Sequence, residues 1–283
     1  AAYSIIALGI SAVLLVSAYY AMSFGKAGFS NPNWAFEMKL EIMDIMIKFL
    51  PGSYDTVRPE GLPWVYTGLL TLIMVPLYFV SKKYSMREKV FSAIFISFFI
   101  LSFSINILDL VWHFFQRPNW LNYRYSFMLC FFMLVLAYKG FIGIRNVSAK
   151  SLFAISGFLI LFIAIAQKFE FPTFNKEEGG KLDTLQCIWL SVIFITIYLL
   201  ILCVARRTKW RSNVAMILCI VVCTELFANG LSNMVALGND VVYSSYSSYN
   251  DYIKSYRPIM KELTEYDDSF YRMEKISHRK TNS

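Results

Sequence analysis

Apolar runs of membrane-crossing length recur seven times along the chain, near 3–24, 63–81, 90–110, 124–143, 151–168, 184–205 and 212–231. A helix needs about 20 apolar residues to cross the hydrocarbon core of a bilayer. The segments between the runs carry Pro, Gly and charge. This pattern predicts an all-α polytopic membrane protein with about seven transmembrane helices. It excludes a β-barrel, whose strands alternate apolar and polar positions over short segments.

The segment between the first two runs is long. It contains "NPNWAFEMKLEIMDIMIKFLPGSYD". Asn31 is a capping residue, Pro32 suits the first helical position, and Pro51-Gly52 ends the run. Glu37, Glu41, Asp44 and Lys48 fall on one helical face, while Trp34, Met38, Ile42, Ile45, Met46 and Phe49 fill much of the rest. The spacing predicts an amphipathic helix, too charged to span, lying in the interface.

Charge then orients the spans. "KKYSMREK" at 82–89 holds four Lys/Arg, "RRTKWR" at 206–211 holds four more, and Arg145 and Lys150 sit in the turn between. With seven spans these three turns share one side, and the positive-inside rule makes that side cytoplasmic. The N-terminus is then inside, and residues 232–283 form an extracytoplasmic tail. The net charge of +8 is therefore a topology signal and not a nucleic-acid footprint. Two domains are expected: a transmembrane helical domain over 1–231, and over 232–283 the truncated start of a soluble domain.

Composition agrees with the pattern. The chain is 57% hydrophobic and 16% charged, with a mean hydropathy of +0.50. Cys130, Cys187, Cys203, Cys219 and Cys223 lie in or beside the spans without metal-ligand spacing, so they read as small apolar residues and no metal site is assigned. The Asn146-Val-Ser sequon falls on the cytoplasmic side and is discounted. The chain enters a span directly from Ala1 without a charged leader, and it stops within "DSFYRMEKISHRKTNS". Both ends predict an internal segment of a longer protein.

The candidate chemistry gathers at the outer ends of the spans. Asn106, Asp109 and His113 share a helical face. A carboxylate there faces protein or a watery cavity, as an ion-pair partner, a base or a ligand. Arg124 starts the fourth run, where the helix dipole disfavours a cation. It calls for an anion, either Asp109 or a bound phosphate. Arg117, Tyr123 and Tyr125 cluster with it. Tyr54, Asp55 and Arg58 lie in the irregular crossing before the second span. Glu225, inside the seventh run, is an intramembrane carboxylate that either serves a site or pairs with a base on a neighbouring helix. Lys139 snorkels from an inner helix end. Tyr243, Tyr246, Tyr249, Tyr252 and Tyr256 recur at near-helical spacing and predict an aromatic stripe at the membrane surface. "NKEEGGKLD" at 175–183 predicts a solvated turn.

"WHFFQRPNWLNYRYSFMLCFFMLVLAYKGF" (112–141) resembles the YfhO family of bacterial membrane proteins. "FLPGSYDTVRPEGLPWVYTGLLTL", "SMREKVFSAIF", "TELFANG" and "DDSFYRMEK" are similar to further family segments, in order along nearly the whole chain. The resemblance implies a GT-C type glycosyltransferase, multi-pass in the bacterial plasma membrane. Its donor would be a polyprenyl-phosphate-linked sugar and its acceptor a cell-surface polymer such as lipoteichoic acid. It implies Tyr123, Arg124 and Ser126 as members of the family motif, with Arg124 on the donor phosphate. Arg117, Tyr123 and His113 are the further candidates for that phosphate site, and Tyr54, Arg58, Asn122 and Ser126 the substrate-facing candidates. The family's catalytic acid would lie upstream of Ala1, leaving Asp109 and Asp55 as weaker candidates. A divalent metal is left open.

Two other classes compete. A lipid-linked-sugar flippase or transporter would show repeated halves and helices broken at mid-membrane. No repeat is visible, and the prolines lie mainly in outer loops. A non-catalytic scaffold in envelope assembly is the third reading. No nucleotide-binding loop is present in the sequence.

Overall fold

The first apolar run folds as α1, Ala2–Phe24, and displays Ile10, Val13, Leu14 and Val16 on its surface. The computed structural model describes residues 2–24, 33–57, 61–116, 118, 120–166, 184–207, 211–240 and 245–266. The turn expected at 175–183, together with Arg58, Arg117 and Tyr243, lies outside the described residues. Among the described residues the chain is helical, without a β-strand.

The remaining elements are α2 (Ile42–Ile47), α3 (Leu69–Val80), α4 (Met86–Ser104), α5 (Asn106–Trp112), α6 (Ser126–Ile142), a 3-10 turn (Ile144–Asn146), α7 (Ala149–Ala166), α8 (Thr184–Arg207), α9 (Arg211–Asp240) and α10 (Tyr246–Tyr266). Each of the seven apolar runs thus contains a helix. Among the described residues three stretches are long and apolar enough to cross a membrane alone: Ala149–Ala166, Ile188–Arg206 and Asn213–Gly238. Gly9–Ala21, Leu69–Val80 and Ser126–Ile142 are shorter apolar helices.

The core forms around α3. Its Leu69, Ile73, Leu77 and Tyr78 are wholly buried, because it packs against α6, α7 and α8 together. A helix that is apolar all round needs this central position. Gly140 of α6 lets the two backbones meet: a Cβ there would run into the Met74 carbonyl oxygen. The periphery is the reverse of a soluble surface. Phe91, Phe127, Phe131, Phe158 and Phe227 are each about 70% exposed or close to it, a shell suited to lipid.

Side-chain contacts define two ends. At one end Tyr84 donates to the Lys139 carbonyl (2.8 Å), Lys139 pairs with Glu88 (2.6 Å), and an Arg206 amino group donates to the Val147 carbonyl. The turns carrying Lys82, Lys83, Arg87, Lys89 and Arg145 therefore converge into one basic end. At α4's start there, the Glu88 N–H donates to the Ser85 hydroxyl, capping the helix. At the opposite end, the Leu121 N–H donates to the Val57 carbonyl (2.9 Å), and the Gly52 N–H to Asn229 Oδ1 (2.7 Å).

Two expectations change here. The third run is not one helix: Ile105 is extended (φ −98°, ψ 121°) and separates α4 from α5. The amphipathic helix expected over residues 32–50 shrinks to the six residues of α2, and 33–41 run outside any helix. The two departures are one event. Breaking α4 frees backbone groups that must find partners. The Lys39 N–H donates to the Ser104 carbonyl (2.7 Å), and the Asn106 N–H donates to the Glu37 carbonyl (3.1 Å). Met38 and Ile105 form an antiparallel bridge. The Asn106 amide donates to the carbonyls of Asn33 and Ala35.

The seventh helix, α9, continues past its expected end at 231 to Asp240. In α10, Tyr246 and Tyr249 are exposed, and the Tyr252 and Tyr256 rings lie 4.6 Å apart, so the aromatic stripe is helical from Tyr246 on.

Candidate functional site

The segment joining α5 to α6 is built unlike any other. Phe114, Phe115, Leu121 and Tyr123 all adopt positive φ, between 54° and 60°. They are the non-glycine residues that do so among the described residues. Left-handed backbone costs a side-chain-bearing residue energy and persists only where its surroundings enforce it.

Tyr125 supplies much of that enforcement. Its ring stacks on Trp112 (4.8 Å, 12°) and on Phe103 (5.2 Å, 20°). Its hydroxyl donates within reach of the Ser102 carbonyl (3.0 Å) and Asp109 Oδ1 (3.1 Å). Tyr123 is buried edge-on to Phe103 at 5.8 Å. Ser126, the first residue of α6, is also buried, and its N–H donates to the Tyr123 carbonyl (2.8 Å). Asn122 is half-buried beside them.

Asp109 is 2% exposed and draws three partners. Lys39 donates to its Oδ2 at 3.0 Å. Tyr125 reaches Oδ1, and His113 Nε2 lies 3.4 Å from the same oxygen. That last approach lacks hydrogen-bond geometry, and Nε2 is buried without a hydrogen-bond partner among the described residues. The shared face of Asn106, Asp109 and His113 is thus real, but the cation on Asp109 comes from the first loop and is not Arg124.

Arg124 remains exposed. Its Nε donates to the Leu121 carbonyl (3.2 Å) and a terminal nitrogen to the Trp120 carbonyl (3.0 Å), both in its own turn. Among the described residues no carboxylate pairs with it. These two bonds hold the guanidinium over the strained turn and leave further N–H donors of the fork unused by them.

The second carboxylate, Asp55, sits 3.6 Å from Lys48 Nζ, and both side chains are almost wholly buried. Lys48 also donates to the Ser53 carbonyl and lies 5.9 Å over the Trp64 ring. Tyr54 packs edge-on against that ring (5.2 Å). Lys48 is therefore interior, not on a solvated helical face. Burial with Asp55, Ser53 and Trp64 offsets the cost of removing it from water.

Glu225, 1% exposed, forms a separate centre deeper in the bundle. Its Oε1 accepts from the Leu69 N–H (2.7 Å) and from the Tyr66 hydroxyl, and its Oε2 accepts from the Tyr198 hydroxyl. Gly68, at φ 89°, turns the chain beside it. The carboxylate caps α3 from another helix, at the end where the dipole favours an anion. Among the described residues its partners are hydroxyls and an N–H rather than a base.

Lys39, Tyr66, Tyr198 and Asn229 thus join the polar centres without having been singled out by sequence. Asn229 follows Glu225 by one helical turn, a spacing that could have drawn attention to it. Among the described residues no group of three His, Cys, Asp or Glu side chains is placed to hold a metal ion.

No curated protein and no solved structure matches the chain significantly. A family model does match it, described as bacterial membrane protein YfhO, over residues 1–283. With its lipid-suited shell, its central apolar helix and the strained turn around Tyr123, the chain belongs to the YfhO family of bacterial membrane proteins.

Proposed function

We propose that the chain is part of a GT-C type glycosyltransferase that takes a sugar from a polyprenyl-phosphate donor. Transfer takes place on the outer face of the bacterial plasma membrane, onto a cell-surface polymer such as lipoteichoic acid. The observation that carries this reading is Arg124. It is an exposed arginine at a helix start, tethered to its own turn and without a carboxylate partner among the described residues. The two buried acids of the same end, Asp109 and Asp55, are each matched to a lysine.

The position of the turn supports an interfacial site. α4 has 19 residues and starts at the basic end. At about 1.5 Å per residue it rises about 28 Å before breaking at Ile105, close to the thickness of the hydrocarbon core. The turn after α5 then lies at the far interface. With seven spans and the basic end inside, that interface is the outer one.

In this reading the Arg124 fork binds the lipid phosphate, with Tyr123 and Ser126 shaping the turn beneath it. A carboxylate deprotonates the acceptor hydroxyl, which attacks the anomeric carbon with inversion. The lipid phosphate leaves, and Arg124 stabilises its growing charge. Asp55 and Asp109 are held by Lys48 and Lys39, which suits support of the site more than the role of base.

A lipid-linked-sugar flippase is the second reading. The break between α4 and α5 favours it, since interrupted helices mark transporter sites. A break 19 residues from the basic end, about 28 Å along the helix, suits the interface better than the midplane. Deleting the gene and following lipid-linked sugars separates the two. Loss of one sugar from a surface polymer, with the donor accumulating on the outer leaflet, is the expected result. Donor trapped on the inner leaflet would favour the flippase, and no change in either pool would favour a scaffold.

A further inference from the structure

A cavity of about 360 Å³ opens at the basic end, far from the turn that carries Arg124. It lies where the end of α6 and the 3-10 turn meet the end of α8 and the start of α9. Its volume falls within the range of roughly 300–1,000 Å³ that small ligands occupy. Tyr138, Phe141, Ile142 and Val214 give it apolar walls, and the small Ala205 and Ala215 leave the room. Among the described residues one charged side chain lines it, Arg145.

Arg206, directly after Ala205, adds an independent observation. One of its terminal nitrogens is fixed on the Val147 carbonyl, but its Nε is buried without a hydrogen-bond partner among the described residues. A buried guanidinium donor left unused is costly. The surrounding charge has one sign. Lys82, Lys83, Arg87, Lys89 and Lys150 share this end, while its acid, Glu88, is already matched to Lys139.

We propose that this cavity binds an anionic glycerophospholipid from the surrounding leaflet. The phosphate rests on Arg145 beside Arg206, and an acyl chain lies along the wall of Tyr138, Phe141 and Val214. Charge complementarity selects the headgroup, since basic pockets between membrane helices attract anionic lipid. The apolar wall selects a ligand with a chain, because a free phosphate would leave it uncovered. The lipid would hold the ends of α6, α8 and α9 together. This site is independent of the donor reading, because it lies at the other end of the bundle.

The test uses the purified full chain in vesicles of phosphatidylcholine and phosphatidylglycerol, followed by release and native mass spectrometry of retained lipid. Wild type should retain phosphatidylglycerol preferentially. Arg145→Ala should cut that retention by about fivefold, the effect expected of one basic residue near a membrane surface. Ala215→Trp, which fills the cavity, should lower retention of both lipids. Lys83→Ala, at the same end but outside the cavity lining, should change nothing. Equal retention of the two lipids by wild type would overturn the proposal. So would Arg145→Ala behaving as wild type, or Lys83→Ala losing as much lipid as Arg145→Ala.

Discussion

Glu225 Oε1 accepts the backbone N–H of Leu69 at 2.7 Å, across 156 positions of sequence. One carboxylate of α9 thereby caps α3, the helix on which the core is built, and gathers Tyr66 and Tyr198 around it. Glu225→Ala strands three donors, two of them buried and the Tyr66 hydroxyl half-buried. Each unpaired donor costs about 1–3 kcal/mol, so the thermal unfolding temperature in detergent should fall sharply. Glu225→Gln, with one acceptor oxygen in place of two, should fall between the two proteins. A wild-type melting curve for Glu225→Ala would refute the capping role.

The meeting of α3 and α6 gives a second expectation. Gly140→Ala places a methyl against the Met74 carbonyl, whereas Gly157 of α7 has open space around its Cβ position. Overpacking of this kind costs about 1–3 kcal/mol. Gly140→Ala should therefore destabilise the protein, and Gly157→Ala should not. Similar melting temperatures for the two variants would contradict the close approach.

Lys39 and Asp109 join the first loop to α5 across the break at Ile105. A double-mutant cycle on Lys39→Met and Asp109→Asn should show a coupling of about 0.5–3 kcal/mol. Asp109→Asn should be the more damaging single change, because Tyr125 also donates to that buried carboxylate. Strict additivity would mean that the pair does not hold the loop.

At the basic end, the hydrogen bond from Lys139 holds the Glu88 carboxyl below its ordinary range. A carboxylate whose folded-state value is depressed stabilises the fold above its unfolded-state value. That contribution is lost as pH falls through the lowered folded-state value. Glu88 is solvent-exposed and its effect is small. Glu88→Gln should flatten the acid limb of the stability–pH curve slightly and leave neutral pH almost unchanged. An acid limb identical to wild type would show that the pair contributes nothing.

The helices were legible in the sequence because apolar runs of about 20 residues have few other outcomes, and the family through its resemblance to segments such as "NYRYSF" at 122–127. The Asp109–His113 face and the importance of Glu225 were legible for the same reason: polar side chains are rare in such runs. Partners were not. Lys39 reaches Asp109 from 70 positions away, and nothing local marks it. The break at Ile105 was hidden because "SFSINILDL" stays apolar on both sides. The first loop misled for a related reason. Its helical periodicity was outweighed by the backbone hydrogen bonds it makes with α4 and α5, and Lys48, which shares a helical face with Glu37, Glu41 and Asp44 by spacing, turned inward to Asp55.

The most direct test of the donor-phosphate site is transfer by an Arg124→Ala variant of the full-length protein, assayed in membranes with polyprenyl-phosphate-linked sugar. Among the described residues the guanidinium hydrogen-bonds to carbonyls of its own turn, so the variant should insert and accumulate like wild type. Transfer should fall by about 100-fold or more, as expected on losing a group that stabilises developing charge. Arg124→Lys, which cannot form the bidentate fork, should recover only part of it. Full transfer by Arg124→Ala, or its loss from the membrane, would contradict the account.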